Sequence, residues 1–143
     1  MNAIPMTQPP STRAHLAVQL GVLLLACLGA AAAWTLLAVA LNRQSAWMAV
    51  VAAVDAALVL RFTRMPRVLA RAALAVAGTL LAIVVANWWI AGTQIGGALG
   101  LMPWDAIPRL GLAHAWTLAG LVNGTTELAW YAVAVVAAAL LAR

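Results

Sequence analysis

Charge is scarce in this sequence. Only 8% of its 143 residues are Asp, Glu, Lys or Arg, where a soluble domain carries about 25%. There are three acids and no lysine, so every basic residue is an arginine. Cysteine occurs once, at Cys27, which excludes an internal disulfide and any CxxC redox or metal motif. Phenylalanine and tyrosine occur once each, while tryptophan occurs seven times. Catalytic signatures are missing as well. The chain has no GxSxG, no HExxH, no GxxxxGK[ST] and no closely spaced carboxylate pair.

What is there is apolar. Hydrophobic residues make up 66% of the chain and its mean hydropathy is +1.02. That excludes disorder, which needs low hydrophobicity and high charge. The net charge of +5 raises the question of nucleic acid. The arginines, however, flank apolar runs and build no face of their own. The partner they imply is a lipid bilayer, with no nucleic acid.

The fold class read from this pattern is all-α: a polytopic membrane protein with four transmembrane helices. Residues 1–12, with Pro5, Pro9 and Pro10, read as a disordered cytoplasmic leader. Residues 13–143 form a single membrane domain with spans at about 14–41, 46–62, 72–91 and 125–142. The first run covers about 42 Å as a helix, longer than a ~30 Å hydrocarbon core. Its rival reading is a secretory signal, with Arg13 ahead of the run and Ala31-Ala32-Ala33 as a cleavage-like site. The apolar character continues past Ala33 to Leu41, which favours a retained helix. Pro66 breaks the chain after the second span. The stretch 92–100, with Gly96-Gly97, reads as a loop. Pro103 and Asp105 then open an interfacial or re-entrant helix over about 104–122. Arg109 lies four residues after Asp105, where the two can pair. A break at Asn123-Gly124-Thr125-Thr126 makes Gly124 the cap and puts Glu127 at the third helical position. The alternative is one tilted helix over about 111–142.

Four spans bring Arg13, Arg61, Arg64, Arg67, Arg71 and Arg143 to one side and leave Arg43 and Arg109 on the other. The positive-inside rule then places both termini in the cytoplasm of a bacterial-type inner membrane. All seven tryptophans fall toward the opposite half. They read as an aromatic belt, or as an outer aromatic lining of Trp34, Trp88, Trp89 and Trp130 that holds an amphiphile or a partner helix. Arg61, Arg64, Arg67 and Arg71 recur every three or four residues. They read as topology anchors, or as a cytoplasmic contact for anionic lipid or an acidic partner.

Asp55 is the most informative residue. It sits near the middle of a span, where a charged group costs roughly 2.5–3.5 kcal/mol. Its helix carries small residues at Ala49, Ala53 and Ala57 and at Ala52 and Ala56, spacing that lets helices approach closely. Asp55 therefore reads as packing glue, a subunit contact, or a proton or cation site. Asn87, His114 and Glu127 complete the candidate intramembrane polar site, Glu127 doubling as a helix cap. His15 and His114 stand alone, and metal binding needs a cluster of ligands. No metal, cofactor or catalytic residue is assigned.

Four short spans with one embedded acid resemble the architecture of the small multidrug exporters. The likeness is one of outline and rests on no motif. Their acid is a Glu on the first helix, whereas the first span here has none. No residue role carries across. The leading expectation is a non-enzymatic integral protein, an accessory or assembly subunit or a homo-oligomer that works through helix–helix packing. The alternative is a small oligomeric transporter or amphiphile-moving protein that uses Asp55.

Overall fold

A computed structural model describes residues 12–65 and 68–143. The leader expected at 1–12 lies outside these residues apart from Thr12, and Arg67 lies outside them too. Among the described residues there are six helices and no strand. They are α1 (Thr12–Leu41), α2 (Met48–Phe62), α3 (Val68–Ala98), α4 (Pro103–Arg109), α5 (Leu112–Val122) and α6 (Thr125–Leu141). Two of them, α1 and α3, are long and apolar enough to cross a membrane. Taken together as one bent segment, α5 and α6 would make a third, with a 106° bend at the break. At 15 and 17 residues, α2 and α6 each fall short of that length.

Packing centres on α3, which touches every other helix. Beside it lies α2, and α1 and α6 each pack against both members of this pair. The approach is close because the buried face of α2 is almost all alanine. Ala49, Ala52, Ala53, Ala56 and Ala57 are at most 3% exposed. On α3, Ala75, Gly78, Ala82 and Ala86 are buried too. A Cβ at Gly78 would stand 2.9 Å from Cys27 Sγ on α1. Lipid tails are as apolar as leucine, so burial of apolar surface does not hold such helices together. Van der Waals contact between small-sided helices does, aided by hydrogen bonds. The alanine ridges expected to face other helices are thus used within the chain.

Three helices end in the same way. At the end of α1, Arg43 N donates to Ala38 O and Asn42 N to Val39 O, with Asn42 at φ +48°. At the end of α2, Met65 N donates to Leu60 O and Arg64 N to Arg61 O, with Arg64 at φ +54°. At the end of α3, Leu101 N donates to Gly96 O and Gly100 N to Gly97 O, with Gly100 at φ +69°. Each is a Schellman cap with a left-handed residue closing the last turn. Glycine and asparagine take that conformation readily; arginine does so at a cost.

The third helix corrects the sequence reading. The glycines at 92–100 do not make a loop: α3 runs on through them to Ala98. Gly92 and Gly96 are there for close approach. A Cβ at Gly92 would lie 2.9 Å from Ile107 Cγ1, and one at Gly96 only 2.4 Å from Ala106 Cβ. They seat α4 against the projecting end of α3. The helix expected over 104–122 is likewise two helices. Pro108 lies inside α4 and Gly111 caps α5, so the chain turns at Leu110–Gly111. Proline removes a helical hydrogen bond, and the chain leaves α4 through extended backbone at Leu110 and Gly111.

One pole of the bundle is strongly positive. Gln19 Nε2 donates to Thr63 O (2.7 Å), tying the start of α1 to the end of α2. Arg71 Nε donates to Ala142 O, and Arg71 Nη1 to Met65 O (3.5 Å). These bonds gather the start of α1, the end of α2, the start of α3 and the end of α6. Arg13, Arg61, Arg64, Arg71 and Arg143 all lie at that pole.

Candidate functional site: a neutral polar knot opposite the arginines

At the far pole the turn after α1, the upper part of α3, the α5–α6 break and the first turns of α6 converge. Four polar side chains meet there. Asn87 stands in α3, 9% exposed, where its helix is otherwise apolar. Its Nδ2 donates to Ile83 O (2.9 Å) and to Tyr131 Oη (3.1 Å). Its Oδ1 accepts from Gln44 Nε2 (2.6 Å) and Asn123 Nδ2 (2.8 Å). Tyr131 Oη in turn donates to Asn123 Oδ1 (2.7 Å). Asn123 Nδ2 also donates to Ala119 O (2.8 Å), the last turn of α5. Asn87, Asn123 and Tyr131 thus form a closed ring of donors and acceptors. In an apolar medium an unpaired polar group is expensive, so a ring of this kind holds its members to one geometry.

Aromatic residues wall the ring. Trp34 on α1 is fully buried, and its Nε1 donates to Gln44 O (2.8 Å). Its ring meets Tyr131 edge-on at a centroid distance of 6.1 Å, bridging α1 and α6. A small cavity of about 10 Å³ lies beside the knot, lined by Gln44, Asn87, Gln94 and apolar residues of α3 and α5. No member of the knot carries a charge at neutral pH. Its chemistry is neutral hydrogen bonding, which fastens elements and offers no base or nucleophile.

Of the four residues expected to form an intramembrane polar site, Asn87 alone belongs to this knot. Asp55 lies at the centre of α2, on the flank of its buried face and within electrostatic range of Cys27 on α1. It is partly exposed, and among the described residues none hydrogen-bonds to its carboxylate. Glu127 caps α6: its Oε2 accepts from Gly124 N at 3.0 Å. His114 is exposed on α5. The structure therefore separates Asp55, Glu127 and His114 from Asn87. Among the described residues, no group of three or more His, Cys, Asp or Glu is placed to hold a metal ion.

The tryptophans also divide. Trp34 is a core residue. Trp88 Nε1 donates to Leu110 O (3.1 Å), pinning the α4–α5 turn to α3. Trp89 packs against the core from its edge. Trp130 is exposed, as are Trp47, Trp104 and Trp116. Of the four expected lining residues, Trp34 and Trp88 each donate to a backbone carbonyl, Trp89 is partly buried and Trp130 is exposed. Of the arginines expected to contact anionic lipid or an acidic partner, Arg61 and Arg64 are exposed, while Arg71 is partly buried and held by the carbonyls of Met65 and Ala142.

The sequence reading missed Gln44, Asn123 and Tyr131 as partners of Asn87. Gln44 lies in the turn after α1, Asn123 caps α5 and Tyr131 lies in the second turn of α6.

The two long apolar helices and the small-sided packing define a helical membrane protein. No protein-family model matches the chain, and neither a curated protein nor a solved structure is significantly similar to it.

Proposed function

We propose that this is a four-span, non-enzymatic protein of a bacterial-type inner membrane, acting as an accessory or assembly subunit or as a homo-oligomer. The observation that carries the reading is Asp55. An acid at mid-helix, partly exposed and without a hydrogen-bond partner among the described residues, is poorly placed in hydrocarbon. A neighbouring helix that supplies a donor relieves that cost. Four spans are supported by the antiparallel packing of α2 and α6 on α3, with their ends at the same two poles. At 15 and 17 residues they cover about 22 and 26 Å. Local thinning of the bilayer and flanking side chains accommodate such a shortfall. The arginine pole faces the cytoplasm in this reading, with both termini.

Purification from native membranes in mild detergent tests it, with mass and stoichiometry read by native mass spectrometry. The proposal expects a complex of two or more chains. A lone chain contradicts it.

The same residue favours a second reading, a small oligomeric transporter in which Asp55 binds a proton or cation. Proteoliposome flux that Asp55→Asn abolishes would support that reading, and flux unchanged by Asp55→Asn would remove it.

A further inference from the structure

An open apolar groove of about 290 Å³ runs between α1 and α3, the two helices that are long and apolar enough to cross a membrane. Its walls are Leu20, Leu23, Leu24 and Cys27 on α1, and Leu74, Ala77, Gly78 and Leu81 on α3. Gly78 brings α3 close to Cys27 and Leu23 of α1 at its floor, and Ala77 leaves it open to the outside. It lies in the half of the bundle nearer the arginine pole.

Charge at its mouth is of one sign. Arg13 precedes Leu20, Leu24 and Cys27 by 7, 11 and 14 residues, so it lies on the same stripe of α1, two turns below the groove. It is exposed. Arg71, one turn below Leu74 on α3, is engaged by Ala142 O and Met65 O, whereas among the described residues no hydrogen bond or ion pair holds the Arg13 side chain. None of the three acids is at this pole. Asp55 is mid-helix in α2, and Asp105 and Glu127 open α4 and α6 at the other end.

We propose that this groove is a binding site for one anionic phospholipid of the adjacent leaflet. An acyl chain lies along Leu20, Leu24, Ala77 and Leu81, and the phosphate meets Arg13. Charge complementarity selects the occupant. An apolar chain alone would fit the groove, but an uncompensated arginine at its mouth favours a negative headgroup. A second copy of this chain supplies no countercharge for Arg13 at this level, because its three acids lie away from the arginine pole. The inference is independent of the number of spans and of the role of Asp55.

Native mass spectrometry of the delipidated full-length protein tests this, with phosphatidylglycerol or phosphatidylcholine added back at equal concentration. One arginine near the headgroup is worth about a fivefold preference for phosphatidylglycerol. Arg13→Gln is expected to remove that preference while retaining both lipids. Ala77→Trp fills the groove from an exposed position and is expected to reduce retention of both. Leu58→Trp, exposed on α2 and outside the groove, is expected to change neither. Equal retention of the two lipids by the wild type overturns the proposal. So does retention unaffected by Ala77→Trp, or a dimer that Ala77→Trp disrupts.

Discussion

Asn123 Nδ2 donates to Asn87 Oδ1 across 2.8 Å, and this bond fastens the 106° break between α5 and α6 to the side of α3. The two residues are 36 positions apart, and the geometry of the far pole depends on their contact. Remove the amide of Asn87 and Gln44, Asn123 and Tyr131 each lose a partner. Leaving a buried polar group unsatisfied costs about 1–3 kcal/mol. Asn87→Ala is therefore expected to destabilise the fold by roughly that amount or more. Tyr131→Phe removes one hydroxyl that bonds both Asn87 and Asn123, and should cost about 1 kcal/mol. A double-mutant cycle, read by reversible unfolding in detergent, should find the two changes non-additive. Additive losses would mean that the ring is not a unit.

Thr93 offers the opposite case. Its Oγ1 is buried, and among the described residues no group bonds to it. Thr93→Val keeps the branched shape and deletes the desolvated hydroxyl. The variant is expected to gain about 1 kcal/mol in the same unfolding measurement. A loss of stability would show that the hydroxyl has a partner in the membrane.

Gly96 and Gly97 are neighbours with different duties. A Cβ at Gly96 meets Ala106 at 2.4 Å, whereas one at Gly97 meets nothing within 4 Å. Gly96→Ala is expected to push α4 from α3 and expose Pro103–Arg109 to protease or hydrogen exchange. Gly97→Ala should leave both unchanged. The helical propensity of the two substitutions is the same, so the contrast isolates the contact.

Much of this was legible in the sequence and some was not, for physical reasons. Apolar runs fixed by Pro66 and by the polar turns gave the helical class. The polar break at Asn123-Gly124 and the position of Glu127 marked the start of α6, because a carboxylate three residues past a cap has a recognisable use. Gly92 and Gly96 misled because glycine serves loops and close helix contacts equally. Only the presence of Ala106 and Ile107 opposite them decides which. Trp34 looked like its six companions, since an indole suits both an interface and a core in which its N–H finds a carbonyl. Gln44 sat in a turn, and nothing local says that a turn folds back over Asn87.

Arg64 holds a left-handed conformation at φ +54° in the cap of α2. Glycine takes that conformation without a Cβ penalty. Arg64→Gly is expected to raise stability by up to about 1 kcal/mol, and the β-branched Arg64→Val to lower it. Thermal unfolding in detergent gives the sign. A neutral or stabilising valine would contradict the backbone reading.

The central claim is that Asp55 serves a contact with another helix. The mass of the protein extracted directly into native nanodiscs, wild type against Asp55→Ala and Asp55→Asn, tests it most directly. A multimer or hetero-complex for the wild type is expected. It should be partly retained by asparagine, whose amide still hydrogen-bonds, and lost with alanine. A complex of unchanged mass and yield in Asp55→Ala would contradict the claim.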